Sequence, residues 1–261
     1  MNNSELKNYL DKIYHKYKNK YSSKDPVWIL HEFQDVKDIE IIGLITSCYA
    51  YGQVDQINIF INKFLKRINH KVHEFTSNYS ELKDKKFLEG LFYRFNKSED
   101  LSILILSIKN VLSGYSSLQN LFLENYDHTD NNILKALTHF TDILSKNIPG
   151  TAGYKYLIPS PLKNSTCKRL NLYLRWMIRS DDIDTGIWNE KADKSKLIMP
   201  VDTHIYRISR SLKLVKRKSC DMKFAIELTE RLKKFDNDDP LKYDFALCHI
   251  GIEKKIPEFT L

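Results

Sequence analysis

At 261 residues, 42% of them hydrophobic and 12% aromatic, with eight glycines and seven prolines, the chain can bury a large core; this excludes a disordered, fibrous or low-complexity protein. Its 41 Lys and Arg against 33 Asp and Glu give a net charge of +8, which favours polyanionic partners, nucleic acid first, although abundant Lys, Asn, Ile and Tyr also fit an AT-rich genome. Cys48, Cys167, Cys220 and Cys248 lie far apart with no CxxC pair, so neither zinc nor an iron-sulfur cluster is expected and they read as free thiols of a reducing cytoplasm.

Residues 1 to 20 carry charges throughout and lack an apolar stretch of signal or spanning length, so a soluble intracellular protein without membrane contact is expected. Leu6, Leu10, Ile13 and Tyr17 repeat at three and four positions, the helical period, and alternating strand patterns are scarce. An all-α fold of roughly ten or more helices follows. Asp25-Pro26 closes the opening helix. Helical stretches then run around 36 to 48, 53 to 72, 79 to 94, 98 to 111, 116 to 125 and 130 to 146. Pro149-Gly150, Pro159 and Pro161 mark residues 148 to 165 as a linker. Beyond it the helical stretches are 165 to 180, 203 to 214, 221 to 234 and 240 to 251.

Chemistry concentrates after the linker. Ser165-Thr166-Cys167-Lys168 offers capping residues before an apolar stripe at 167, 170, 174, 177 and 178, and Lys168 lies beside that stripe in the first turn. The positive end of a helix disfavours an ammonium there and, with partial burial, favours a neutral nucleophilic amine. Further on, Pro200-Val201-Asp202-Thr203-His204 places an aspartate where a helix begins. Such an N-cap stays ionised and fixed in orientation, as stabilising a developing cation requires. Taken singly, each residue also has a purely structural reading: a solvent-facing lysine and a plain cap.

Together the two segments resemble the helix-hairpin-helix (HhH-GPD) DNA glycosylase superfamily, in which a lysine after the hairpin is followed by a Val-Asp-Thr-His or Val-Asp-Tyr segment. Archaeal-type 8-oxoguanine glycosylases are nearest. Asp25-Pro26, Ala50-Tyr51-Gly52, Tyr93-Arg94-Phe95 and Asp239-Pro240-Leu241-Lys242-Tyr243-Asp244-Phe245 extend the likeness towards a poorly characterised bacterial branch. The resemblance implies a two-lobed helical fold without an iron-sulfur cluster: a six-helix lobe over 35–160, a second lobe from 1–34 plus 161–261, and the active site between them. It implies a monomeric glycosylase and abasic-site lyase of the nucleoid that excises 8-oxoguanine from duplex DNA, with Lys168 attacking the sugar and Asp202 assisting. Another lesion, or a non-catalytic DNA-binding protein on this fold, is the alternative. The Leu-Pro-Gly-Val-Gly hairpin of such enzymes is replaced here by Pro161-Leu162-Lys163-Asn164-Ser165-Thr166, whose Lys163, Asn164, Ser165 and Thr166 are expected to serve as phosphate donors ahead of the helix N-terminus.

For the flipped base, the candidates are Gln53, Trp176, Asp244 and Phe245, each with a structural alternative; for Asp244 that alternative is a cap or a pairing with Arg207 or Arg210. Arg169, Arg207, Arg210 and Arg217 crowd the same half and suit a phosphate-gripping surface. No cofactor is expected beyond room for an alkali cation at the hairpin. His70 and His73 lack a third metal ligand, Asp236 to Pro240 lacks the Gly and Glu of a calcium loop, and neither GxxxxGK[ST] nor GxGxxG occurs.

Overall fold

The computed structural model describes residues 2–19, 24–148, 150–163, 165–245 and 247–248. Among them are twelve α-helices and four short 3-10 turns, with no strand beyond the isolated bridges Tyr93–Asn96 and Ser180–Thr185. The fold is all-α.

Helix α1 (Asn3–Tyr17) starts from a capping box between Asn2 and Glu5 and buries the stripe Leu6, Leu10, Ile13 and Tyr17. It packs on the 3-10 turn Pro240–Tyr243, where the Tyr243 hydroxyl donates to Asp11 at 2.7 Å. Helix α2 (Val36–Cys48) is the centre of the molecule. Every residue from Ile39 to Cys48 is buried, as expected of a helix that is apolar on all sides. The one carboxylate in that run, Glu40, accepts from Trp188 Nε1 at 2.8 Å and the Leu118 amide at 3.2 Å. Burial pushes its pKa up in spite of those two bonds.

Helices α3 (Val54–Arg67), α4 (Val72–Asn78), α5 (Glu81–Leu88), α6 (Ser98–Tyr115), α7 (Leu118–Glu124) and α8 (Leu134–Ser145) follow. The interval read as six helices therefore holds seven. The additional break arises where Asn69 and His70 both adopt positive φ, 52° and 59°, and where Tyr79 leaves helical geometry with its hydroxyl bonded to Ser102. Neither site carries the Gly or Pro that marks a break in sequence. The presumed linker likewise contains α9 (Ala152–Leu157), capped by Thr151, and the 3-10 turn Pro161–Lys163. Tyr154 anchors α9 by donating to the Leu144 carbonyl at 2.6 Å. Among the described residues no single helix is long and apolar enough to cross a membrane; α6 and α7 reach that length and composition only as a pair bent by 68°.

Helix α10 (Lys168–Ile178) packs along α2, with Leu170, Tyr173, Leu174, Trp176, Met177 and Ile178 buried. The contact is close at Gly43, where a Cβ would stand 2.9 Å from Met177 Cε, 3.3 Å from Leu30 Cδ2 and 3.4 Å from Tyr173 Cε2. On its other side α10 buries two arginines. Arg175 bonds Asp184 Oδ1 at 3.0 and 3.1 Å and also pairs with Asp244; Arg179 reaches Asp184 Oδ2 and Asp239, both at 2.9 Å, and Asp181. Helices α11 (Thr203–Ser211) and α12 (Met222–Lys233) complete the described elements. The final stretch, read as a helix from 240 to 251, opens as the 3-10 turn, and its residues 249 to 251 lie outside the described residues.

Alanine at Gly43 gains about 1 kcal/mol of helix propensity and displaces only the flexible end of Met177, so Gly43→Ala is expected to be close to neutral. Valine adds branched bulk against Leu30 and Tyr173. Gly43→Val should therefore cost about 1–3 kcal/mol in denaturant unfolding, and a melting temperature equal to that of Gly43→Ala would refute close packing here.

Candidate active site

Six separate segments converge on a cleft of about 1130 Å³: the start of the Pro26–Glu32 3-10 turn, the α2–α3 connection, the end of α9, the start of α10, the start of α11 and the stretch at Cys248. The volume is ample for a ligand larger than a drug-sized molecule.

Lys168 is the first residue of α10, preceded by Cys167 in the left-handed region at φ 47°. Cys167 is held there by its amide, which donates to Ser165 Oγ at 3.0 Å, and by its buried thiol, which donates to the Pro159 carbonyl at 3.4 Å. The Lys168 amine, half-buried, donates to the Ala50 carbonyl at 3.2 Å, just past the C-terminal end of α2. The negative end of α2 thus faces the amine while the positive end of α10 lies behind it.

Asp202 is the N-cap of α11. Its Oδ1 accepts the His204 and Ile205 amides at 2.8 and 2.9 Å, so the second carboxylate oxygen takes no part in the cap. One hydrogen bond ties the two helix starts together: Thr166 Oγ1 donates to the Val201 carbonyl at 3.0 Å, and Asn171 Nδ2 in turn holds the Thr166 carbonyl at 2.9 Å. Lys168 and Asp202, 34 positions apart in sequence, consequently line the same cleft. An amine and a fixed carboxylate sharing a cleft suit covalent attack on an electrophilic carbon with stabilisation of the adjacent positive charge.

Of the residues singled out for base recognition, Gln53 lines the cleft at the start of α3. Trp176, Asp244 and Phe245 are not part of the cleft lining. Trp176 is fully buried in the core, on the apolar part of α10. Asp244 is buried against Arg175, not paired with Arg207 or Arg210, and Phe245 packs edge-on against Trp28. Burial pushes the Asp244 carboxyl up to about 6, opposed by Arg175, with Asp202 and Lys168 also within electrostatic range.

The residues expected to grip phosphate divide. Lys163 and Arg207 are exposed, and Ser165 lines the cleft. Asn164 lies outside the described residues. Thr166 spends its hydroxyl proton on Val201. Arg169 is buried and stacked on tyrosines, Arg210 holds the carbonyls of Val215, Lys216 and Arg217, and Arg217 is neutralised by Asp221. Arg210 and Arg217 therefore act within the protein, because each finds carbonyl or carboxylate partners nearby that composition alone does not reveal, whereas Arg169 is covered by rings but still lines the cleft.

Sequence reasoning missed several cleft residues. Asp25 caps the 3-10 turn through the Val27 amide at 2.9 Å and, with Asp55, adds further carboxylates to the cleft lining. Tyr156 comes from the presumed linker, and Cys248 from the last described residues. Burial pushes the Cys248 thiol up, and Asp202 and Asp244 add to that shift. Helix-breaking prolines around Tyr156 hid its position, whereas the Asp25-Pro26 pair was a visible cap signal. Among the described residues no three His, Cys, Asp or Glu side chains gather as a metal site.

These features define an all-α protein whose wide cleft holds a lysine and an N-cap aspartate from successive helix starts. The chain belongs to the family described as Protein of unknown function (DUF2400), which matches residues 25–253 and so takes in every described cleft residue from Asp25 to Cys248. No curated protein and no solved structure matches the chain.

Asp202→Ala removes the α11 cap and should cost about 1 kcal/mol, whereas Asp202→Asn keeps an accepting oxygen and should unfold near the parent midpoint. Equal losses in urea unfolding would mean that the carboxylate charge itself stabilises the fold. For Asp244 the folded pKa of about 6 lies above the usual carboxylate range, so folding favours the protonated form. Its contribution is fully present below the unfolded pKa near 4 and lost as pH rises through about 6. Asp244→Asn should accordingly look better, relative to the parent, at pH 7 than at pH 4.5; a difference that does not change with pH would contradict the shift.

Proposed function

We propose that this protein is a DNA base-excision glycosylase with abasic-site lyase activity, built as a two-lobed helix-hairpin-helix enzyme and directed at oxidised purine, 8-oxoguanine first. The observation that carries the proposal is the presence of Lys168 and Asp202 at the lining of one cleft, joined through the Thr166–Val201 hydrogen bond. The net charge of +8 and the exposed Lys163 and Arg207 suit a polyanionic duplex.

In this reading a damaged nucleotide is rotated out of the duplex into the cleft. The Lys168 nitrogen gives its lone pair to C1′ as the glycosidic C–N bond breaks, and the electron pair of that bond leaves with the base, which takes up a proton. Asp202, oriented by two amides, stabilises the cationic sugar through that step. Loss of the amine protons and opening of the sugar ring give an imine. Removal of a C2′ proton then expels the 3′ phosphate and cuts the strand, and water releases the lysine. The Ala50 carbonyl, as acceptor for the amine, fixes where its nitrogen sits before attack.

Borohydride reduces such an imine to a stable protein–DNA adduct. The purified protein should be trapped on duplex containing 8-oxoguanine or an abasic site; Lys168→Gln should give no adduct, and Asp202→Asn should slow excision by about 10²–10³-fold. Undiminished trapping by Lys168→Gln would remove the lysine from the mechanism. Adducts confined to another lesion of a panel would retain the chemistry and change the substrate.

A further inference from the structure

Next to Lys168 in sequence is a charged group whose hydrogen bonding is incomplete. Arg169 is 8% exposed, and its guanidinium carbon stands 4.0 Å from the centre of the Tyr156 ring and 5.3 Å from that of Tyr51. Its Nη2 donates to the Tyr156 carbonyl. Its Nη1 is buried without any acceptor, and among the described residues no carboxylate pairs with it. Among the described residues, of the buried polar atoms left without a partner, this one alone is charged and alone belongs to a residue of the cleft lining. An orphaned charged donor is costly in a closed core. At the edge of a binding cleft it becomes specific for a ligand that brings the missing acceptor.

The surroundings narrow that ligand's shape. Tyr51, Phe95 and Tyr156 meet in mutual contacts, with ring centres 4.8–5.7 Å apart. Phe95 is 55% exposed and Tyr156 is 41% exposed, so the cluster offers open ring surface beside the cleft. Flat rings beside a buried guanidinium suit a planar heterocycle bearing a carbonyl oxygen. Tyr156, 41% exposed, lies over the guanidinium between Nη1 and the open side of the cluster.

We infer that Arg169, with Tyr156 as its cover, is the residue that reads an exocyclic carbonyl oxygen of the everted base stacked on the Tyr51–Phe95–Tyr156 cluster. This subsite rests on the nucleic-acid reading of the cleft but not on lysine chemistry. Planarity separates the ligand from a backbone phosphate, which would touch the guanidinium equally with or without a base.

Equilibrium binding tests it in the Lys168→Gln background, where no adduct forms. Fluorescence anisotropy would compare a duplex carrying 8-oxoguanine with the same duplex carrying a tetrahydrofuran abasic analogue. The expected result is a preference for the base-containing duplex of about 10- to 100-fold, largely abolished by Arg169→Met. Arg169→Lys, which keeps the charge and most of the stem and so is the gentler change to the fold, should reduce the preference; melting curves would confirm that each variant is folded. Absence of a base preference, a preference that survives both substitutions, or an equal loss of affinity for both duplexes would overturn the assignment, the last by indicating a phosphate contact. Failure of borohydride trapping alongside an intact Arg169-dependent preference would instead count against the Lys168 mechanism alone.

Discussion

The position of α10 is the constraint on which the rest of the molecule depends. One side lies along the wholly buried α2, closely enough that Gly43 leaves little room for a branched side chain. The other carries Arg175 and Arg179 into a group of four aspartates from the 181–184 loop and the 239–244 segment. A buried ion group of this kind is weak evidence for net stability, because desolvation offsets much of the attraction, but removal of one member leaves an uncompensated charge costing about 3–5 kcal/mol. Its consequence here is orientational. The last turns of α10 are fixed from both sides, and its first turn, with Lys168, is therefore aimed at a fixed place.

Geometry at that place follows from helix ends. The carbonyl beyond α2 accepts from the Lys168 amine, the amides opening α11 hold Asp202, and the Thr166 hydroxyl ties the residue before Asp202 to the approach of α10. Each is a local interaction of modest energy. Their joint effect is to bring an amine and a carboxylate to the lining of one cleft.

Charge is distributed less simply than the composition implies. A net charge of +8 suggests a basic face, yet Arg175, Arg179, Arg210 and Arg217 spend their guanidinium groups on internal partners, and Arg169 is buried beneath tyrosine rings. Arginine is suited to this role, since its planar fork stacks on rings and bonds two acceptors together. The exposed lysines, with Arg67, Arg94 and Arg207, are left to supply the external field.

Much of the helical content was legible in the sequence. The α1 stripe, the bounds of α2 and the capping role of Asp202 follow from apolar period and cap chemistry, which are local properties of the chain. The breaks at Asn69–His70 and Tyr79, and the helix inside the 148–165 stretch, were not, because non-glycine residues held at positive φ and a capped turn among prolines are sustained by distant contacts. The same limit applied to the site. Sequence determined that Lys168 and Asp202 open two helices. Only the tertiary structure decided that those helices start side by side, that Asp244 belongs to Arg175, and that Arg169 lies under Tyr156, since each depends on segments tens of residues apart being folded against one another.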